Sequence, residues 1–482
     1  MKRRSISVLV AIALVMLMLG PSSAWSQDNS TQEPATPPDS GQAQQPAPAF
    51  GPDSAVPMIE ENPPISGLDL PNLQPHAAPL SYLQAGAHVS ESLDSNIENT
   101  LGGSEVQSLT RATGSLELHR LWSNYDLSLD YLGGIGYYDV QGLGLKQIEE
   151  LGLEQKITWK RGELAIRDAF SYQPEGTFGS AYGSVGTIGA GLSGDSTFFG
   201  GTGLGALGQV PRIMNLSLVD IVQNLTPKSS ITLTGGYGFV HFLEDQPGTG
   251  ISFIGNSQVS AEAGYSRVLS RHDQAAIVYG YQGFRFSTGI SFHSHLIQLM
   301  WGRRISGRMD FLVGAGPQFT ELNSVAAEET GATSDLRISA AGRALLHYQF
   351  PRTSLGLSYD HYITSGSGFF AGAESDIARL TASRPMGRVW TVFSDIGYSR
   401  NSRVEAVVLT AGVNAKTYQY GFAGAGVHRM FGRNFHAFAS YQFNDLAFDS
   451  SFCGTSSQCN RTSQRNVGTI GLDWTPRPHR LD

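Results

Sequence analysis

The sequence predicts an all-β protein: a single transmembrane, antiparallel, up-and-down β-barrel of about 18 strands, preceded by a signal peptide and a disordered Pro-rich arm. Three observations support this prediction. Side chains after position 80 alternate between apolar and polar with a period of two. Short and long connections take turns along the chain, and aromatic residues concentrate at both ends of the alternating segments.

The N-terminus has the composition of a secretory signal peptide. Basic residues at positions 2–4 precede an almost unbroken apolar run from 6 to 19, and small residues flank Trp25 at the predicted cleavage site. The apolar run is too short for a comfortable transmembrane helix, and an uncleaved signal anchor is the alternative. We therefore expect residues 1–26 to direct export and to be removed.

Residues 27–79 differ sharply in composition from the chain that follows. Twelve prolines fall in this stretch, mixed with Gln, Ser, Ala and Asp. Proline at this density prevents both a continuous helix and a sheet ladder, so we predict a disordered periplasmic arm. Residues 80–482 then form the barrel.

The barrel region alternates strictly in several segments. Apolar side chains occupy the odd positions of 125–131, while Asp126, Ser128 and Asp130 fill the even ones. Residues 259–265 repeat the pattern, with polar Ser260 and Glu262 between apolar neighbours. Such segments, apolar on one face and polar on the other, are typical of a transmembrane barrel, although a soluble all-β protein gives the same local pattern.

The lengths of the connections distinguish these two alternatives. Eight tight turns are predicted near 123–124, 160–162, 226–229, 270–273, 305–308, 351–352, 384–388 and 431–434. Nine longer connections alternate with them, near 91–105, 139–144, 174–210, 243–256, 285–290, 321–334, 364–375, 399–415 and 445–464. These connections join eighteen strands, and an even number places both barrel ends on the tight-turn side, which is periplasmic in outer-membrane barrels.

Aromatic residues give a partly independent indication. Tryptophans after the signal peptide lie beside a tight turn or at the end of the last strand: Trp122, Trp159, Trp301, Trp390 and Trp474. At the other end the strands carry Tyr137, Tyr172, Phe239, Tyr281, Phe319, Tyr359, Tyr398 and Phe443. Two aromatic girdles are expected because amphipathic rings prefer the membrane interface.

The region 80–482 resembles the outer-membrane porins of Gram-negative bacteria. It is also similar to a group of uncharacterised bacterial barrel proteins that have a Pro-rich leader and end in a stretch like residues 474–478. The resemblance implies contact with outer-membrane lipid, insertion by the barrel-assembly machinery and a homo-oligomer, as porins of this size often form trimers. One departure is that eight residues follow Trp474, whereas such barrels usually end on an aromatic residue.

A barrel of about eighteen strands leaves an aqueous channel, which the polar face should line. We predict these pore-lining residues: Arg111, Glu117, His119, Asp130, Arg167, Glu262, Asp310, Arg337, Arg343, Asp360 and Asp395. The alternative is that these charges pair as ladders inside the lumen and select nothing. Asp168, Arg267 and Arg379 break the alternation and are either rim residues or errors in the predicted register.

The longest predicted connection, 174–210, contains twelve glycines and only two acidic residues, Glu175 and Asp195. In general porins the loop at this place folds inward and narrows the pore, and glycine would let it lie close to the wall. Glu175 and Asp195 would then face basic wall residues such as Arg111 and Arg343 across a constriction. The alternative is a mobile extracellular loop.

Cys453 and Cys459 are the only cysteines, and in an exported protein we expect them to form a disulfide. His293 and His295 share one face of a strand, but no third ligand is visible nearby, so we predict no metal site. The sequence has no nucleophile elbow, P-loop or His-Glu-x-x-His motif. We therefore predict no catalytic residues, no cofactor and no enzymatic activity.

Three functions remain. The first is an outer-membrane channel for passive diffusion or export of small polar solutes or saccharides, which the predicted lumen favours. The second is a plugged surface barrel that serves adhesion or envelope structure, and the third is an outer-membrane hydrolase. The net charge of −8 gives no basic surface for nucleic acid.

Overall fold

The computed structural model describes residues 81–97, 101–103, 105–139, 144–173, 211–243, 253–323, 335–366, 368–404, 414–453 and 459–481. The predicted signal peptide, the Pro-rich arm and the connection 174–210 with Glu175 and Asp195 lie outside these ranges.

The described chain forms long strands in sequence order. They are β1 Tyr82–Asp94, β2 Gln107–Trp122, β3 Tyr125–Tyr138, β4 Gly144–Trp159, β5 Gly162–Gln173, β6 Arg212–Thr226, β7 Ser229–Phe242, β8 Asn256–Val268, β9 Asp273–Phe286, β10 Ser291–Ser306, β11 Met309–Asn323, β12 Asp335–Gln349, β13 Ser354–Thr364, β14 Ala373–Met386, β15 Trp390–Arg403, β16 Thr417–Phe431, β17 Phe435–Phe448 and β18 Thr462–Trp474. A two-residue β19, His479–Arg480, follows them.

Each of the eighteen long strands pairs antiparallel with its sequence neighbours, and β1 pairs with β18 to close the sheet. The register of that closure places His88 opposite Asp473. The predicted fold class, an up-and-down barrel of 18 strands, is confirmed. Beyond Trp474 the chain continues along the first strand, where β19 pairs antiparallel with Tyr82 and Leu83.

All eight predicted tight turns lie at one end of the barrel, which we call the turn end; the other is the loop end. Positive φ values mark three of these turns, at Ser123 (36°), Gly387 (74°) and Gly432 (68°). Only glycine adopts such angles without steric cost, so two of the turns depend on it directly.

The outward face of the barrel is an apolar belt. Leu299, Ile338 and Ile470 are more than 60% exposed, although each lies within a long strand. All five predicted girdle tryptophans are exposed on this outer face at the turn end. The inward face is polar: in β8, Gln258, Ser260 and Glu262 are buried between exposed apolar neighbours. Water inside and lipid outside explain this arrangement.

In the described residues no helix is both long and apolar enough to cross a membrane.

Near the loop end β13 separates from β12, while β14 stays paired with β15 as far as Ala373 and Arg403. Among the described residues, β12 pairs with β13 only as far as Gly342 and His361, while β12 continues to pair with β11 up to Asp335. Beyond His361, β13 pairs with β14 alone. The Ile363 N–H donates to the side chain of Gln318, which faces the lumen from β11. The tip of the β13–β14 hairpin, residues 361–366 and 368–376, therefore folds into the barrel, and we call it the inner hairpin.

Candidate functional site: the barrel lumen

The structure places all eleven predicted pore-lining residues on inward positions of their strands. His119, Arg167, Glu262 and Asp310 are buried, and the others are partly exposed to the lumen. Alternation therefore located these side chains on the correct face. Their contribution to conduction stays a prediction.

Most of the basic residues in the lumen are paired with acidic ones on neighbouring strands. Arg343 Nε lies 2.6 Å from Asp360 Oδ1, and Arg379 Nε lies 2.9 Å from Asp395 Oδ1. Arg167 bridges two acids at once, with Asp220 at 2.9 Å and Glu154 at 3.5 Å. These cross-strand ladders correspond to the alternative in which the lumen charges stabilise the wall.

The structure shows on which face of the barrel the three charged residues that broke the predicted alternation lie. Arg379 faces the lumen, so the register predicted for its strand was wrong. Arg267 is exposed at the end of β8, beside a tight turn, and is a rim residue. Asp168 does face outward into the apolar belt, where it accepts hydrogen bonds from Asn215 and Ser217.

One part of the wall is rich in acidic side chains. Glu117, Asp126 and Asp130 face the lumen from β2 and β3, and Glu150 and Glu154 continue the group on β4. We call these five residues the acidic wall. Tyr82 donates its hydroxyl to Glu117, and Lys156 lies 3.9 Å from Glu154. Asp126 lies 2.7 Å from Nε2 of His119, and on β11 to β15 Asp310, Asp360 and Asp395 likewise each contact a histidine or an arginine.

Two Ser–His–Asp chains occur among the lumen ladders. His88 lies 3.2 Å from Asp473 and 3.0 Å from the hydroxyl of Ser115. His347 lies 3.4 Å from Asp310 and 3.3 Å from the hydroxyl of Ser354. The order of groups matches a hydrolase triad, which also needs free donors for the oxyanion.

The setting of these chains favours a structural role. Ser115 is paired on both sides, with Gly86 of β1 and Leu132 of β3, so nearby backbone N–H groups belong to sheet ladders. The same arrangement arises twice because inward polar residues on three adjacent strands meet whenever they share a depth. We assign both chains to the lumen ladders.

The inner hairpin carries an apolar plug across the loop end of the lumen. The ring of Phe369 lies 5.1 Å from Tyr418 of β16, 5.2 Å from Phe448 of β17 and 5.9 Å from Phe253, which precedes β8. Phe369 and Phe370 are both 1% exposed. Strands eight or nine positions apart in an 18-strand barrel lie on nearly opposite walls, so the plug bridges the lumen.

The opposite face of the inner hairpin packs against a second apolar cluster. Ile363 and Ala371 contact a group that contains Ile254, Phe284 and Phe292 on the β8–β10 wall. The Ile254 N–H also donates to the carbonyl of Gly368 at 2.9 Å. Gly368 has a φ of 81°, and a Cβ there would lie 2.8 Å from the ring of Phe242, so this position requires glycine.

The inner hairpin was not anticipated as a constriction. The sequence assigned that role to 174–210, which lies outside the described residues, and treated 364–375 as an ordinary long connection. The available signal was the pair Phe369–Phe370 between glycines in a connection expected to face water. Two adjacent aromatic residues in such a connection need a surface to cover them.

Two smaller features lie near the loop end and on the outer wall. Cys453 and Cys459 form a disulfide with a Cα–Cα distance of 5.5 Å. His293 and His295 each bond a tyrosine of β9 through Nδ1 at 2.8 Å. Among the residues that the structure describes, no group of three or more His, Cys, Asp or Glu side chains could hold a metal ion.

A closed 18-strand sheet with an apolar exterior, girdle tryptophans and a polar lumen defines an outer-membrane β-barrel of porin-like architecture.

Several solved barrels are similar to this chain at low identity. OccK2 (OpdF) of Pseudomonas aeruginosa has a TM-score of 0.42 and 10% identity, over 82% of this chain and 98% of that chain. OpdK of Pseudomonas aeruginosa has a TM-score of 0.40 and 10% identity, over 82% and 98%. OccAB2 of Acinetobacter baumannii has a TM-score of 0.42 and 8% identity, over 83% and 98%. No family model and no curated protein matches the sequence. Likeness at this level transfers no substrate from one barrel to another.

Proposed function

We propose that this protein is an outer-membrane channel through which small polar solutes or saccharides diffuse passively or are exported. The observation that carries the proposal is the lumen itself: an 18-strand wall lined by charged and hydroxyl side chains. A barrel of this strand number is wide enough to leave an aqueous passage, unlike one of about eight strands. No step of chemistry is required of the wall residues.

The inner hairpin sets the size limit of the proposed channel. It occupies the loop end of the lumen, whereas the ladders of Arg343 and Arg379 line the wall nearer the turn end. A constriction at one end and a wider polar lumen at the other would select hydrated solutes mainly by their size and only weakly by their charge.

Liposome swelling tests this proposal. Refolded protein in liposomes should admit small sugars quickly and oligosaccharides progressively more slowly, because the inner hairpin narrows one end. Empty liposomes and a soluble protein control define the background rate. Equal exclusion of every sugar, with correctly folded barrels present, would contradict the channel.

The apolar plug favours one second candidate, a closed surface barrel for adhesion or envelope structure. Phe369 and Phe370 are buried among residues of both walls of the lumen, and burial of a phenylalanine side chain is worth about 1.5–3 kcal/mol. A plug of that stability would keep the loop end shut. In that case removal of the plug side chains would open a barrel that is otherwise silent.

A further inference from the structure

The turn end of the barrel carries a ring of basic side chains, although the chain as a whole has a formal net charge of −8. Seven of the eight tight turns contain at least one exposed lysine or arginine, and none of the eight contains an acidic residue. We call these basic residues the basic collar: Lys160, Arg161, Lys228, Arg271, Arg308, Arg352, Arg388 and Arg433. The basic collar runs around the mouth of the barrel from the β4–β5 turn to the β16–β17 turn.

Few acidic side chains neutralise the basic collar. Four acids lie within two residues of the tight turns, and three of them, Asp126, Asp273 and Asp310, already contact a histidine or an arginine. The fourth is Glu163, at the start of β5. Among the residues that the structure describes, no member of the basic collar forms an ion pair. Its charges are therefore open to an anionic partner.

The segments at the loop end have the opposite charge. The nine segments that connect strands there contain eleven Asp or Glu residues and only two basic ones, Lys416 and Arg461. Positive and negative charge are thus divided between the two ends of the barrel. An acidic chain segment is attracted to the turn end and repelled from the loop end.

The predicted Pro-rich arm supplies an acidic segment at the turn end. Residues 48–79 contain four acidic residues and neither lysine nor arginine; the acids are Asp53, Glu60, Glu61 and Asp69. The arm joins β1 at Tyr82, which pairs with His119 of β2 close to the first tight turn. It is therefore tethered to the end that carries the basic collar, and a tether of this kind gives an effective concentration on the order of millimolar.

The arm is also long enough to cross the mouth of the barrel. A Pro-rich chain in the extended polyproline form rises about 3.1 Å per residue, so Glu61 reaches about 60 Å from the first strand. Eighteen strands that are about 4.8 Å apart and tilted by about 40° enclose a ring roughly 35 Å across. The acids of the arm can therefore contact turns on the far side of the mouth.

We propose that residues 48–79 dock on the basic collar across the mouth of the barrel, with their four acidic side chains contacting its lysines and arginines. A single exposed ion pair contributes little, but several pairs on one tethered segment act together. The docked segment lies over the turn end of the lumen, opposite the end that the inner hairpin occupies. The inference goes beyond the proposed channel, because docking can be measured whether or not the lumen conducts.

Distances between two spin labels test the docking. The labels are attached to the full chain at Ser66→Cys in the arm and Thr353→Cys in the β12–β13 turn, with the native Cys453–Cys459 disulfide intact, in zwitterionic lipid nanodiscs. Electron–electron double resonance should give a narrow distance distribution at low salt. In 1 M salt, where the Debye length is about 3 Å, the distribution should widen about twofold. A broad distribution at low salt would overturn the proposal.

Charge reversal in the arm is the second step. Glu60→Lys combined with Glu61→Lys and Asp69→Lys gives the arm segment a net positive charge, and the distribution should then be as broad at low salt as it is at high salt. Gel migration before and after boiling verifies that the barrel is folded. A distribution that stays narrow in this variant would show that charge does not hold the arm, and the proposal would fail.

Charge reversal in the basic collar identifies the surface that the arm contacts. Arg352→Glu combined with Arg388→Glu and Arg433→Glu should also broaden the distribution. Arg285→Glu with Arg461→Glu is the matched control, because both side chains are exposed at the loop end. Equal broadening in the control would contradict docking at the turn end.

Anionic lipid headgroups are the alternative partner of the basic collar. Native mass spectrometry counts the phosphatidylglycerol molecules that the barrel retains from nanodiscs containing this lipid. The wild type and the collar variant should retain similar numbers, because the arm covers the collar. A collar variant that loses phosphatidylglycerol while its label distances stay as in the wild type would assign the basic collar to lipid and overturn the proposal.

Discussion

The ring of Phe369 packs edge-to-face on Tyr418 at 5.1 Å, although Phe369 follows β13 and Tyr418 belongs to the start of β16. Aromatic pairs in this geometry are worth about 0.5–1.5 kcal/mol beyond their area burial. The contact fixes the inner hairpin against one wall, while Ile363 on its other face fixes it against the opposite wall. The plug is thus held from two sides and should control access to the lumen.

The acidic wall should make the proposed channel prefer cations. Neutralising Glu117, Asp130 and Glu150 together, by Gln or Asn, should lower the permeability ratio of potassium to chloride, because fixed lumen charge concentrates counter-ions. Reversal potentials across a potassium chloride gradient measure this ratio. Glu91→Gln is the matched control, since Glu91 faces outward on β1. A ratio that falls equally in the control would argue against the acidic wall.

Breaking one ladder should destabilise the barrel. Arg379→Ala leaves the carboxylate of Asp395 unpaired in a site where both side chains are about one-tenth exposed. The free energy of unfolding should fall by about 3 kcal/mol, because an isolated buried charge is more costly than a missing pair.

Urea unfolding in lipid vesicles measures that change. Arg379→Met combined with Asp395→Leu should recover most of the loss, and Arg267→Ala at the rim should change little. A single variant as stable as the wild type would show that the pair contributes nothing.

Ser115 should not behave as a catalytic nucleophile. Its bond to His88 belongs to a lumen ladder, and the neighbouring backbone N–H groups are paired within the sheet. A fluorophosphonate probe should therefore leave the protein unlabelled, as judged by intact mass. Labelling that disappears in both Ser115→Ala and His88→Asn, but not in Ser354→Ala, would instead establish the hydrolase alternative.

Much of this architecture was predictable because strand alternation and turn chemistry are local. Trp301 is an example, because its position beside a turn and its parity predict the outer face on which it lies. The register of β14 failed because apolar residues occur on both faces, with Ile377 buried inward and Leu380 outward, so Arg379 was given the wrong face. The inner hairpin depends on contacts between distant strands, so the Phe369–Phe370 pair could indicate that some surface covers it but not which one.

Asp449 should contribute to stability in a pH-dependent way. Burial alone would raise the pKa of its carboxyl, but hydrogen bonds from the Ser451 hydroxyl and the backbone N–H groups of Thr417, Ser451 and Lys416 outweigh it and lower the pKa below the ordinary value. A carboxyl with a lowered pKa stabilises the fold above its ordinary pKa, and the contribution disappears as the pH falls through the folded value.

Melting temperatures of wild type and Asp449→Asn, followed by gel migration, test this dependence. The wild type should be the more stable at pH 7, and the difference should shrink as the pH falls below the ordinary pKa of an aspartate, about 4. Asp445→Asn, on the outer face of β17 just before Asp449, is the control and should show a smaller difference. A difference that stays constant with pH would show that the ionised carboxyl is not responsible.

Single-channel recording in planar bilayers tests the central claim most directly. The wild type should give discrete conductance steps, and the pair Phe369→Ala with Phe370→Ala should enlarge them, because it removes the plug side chains from the loop end. Phe438→Ala, a buried lumen residue of β17 outside the plug clusters, should leave the steps unchanged. Silence of both the wild type and the plug variant, in barrels shown to be folded, would contradict the channel.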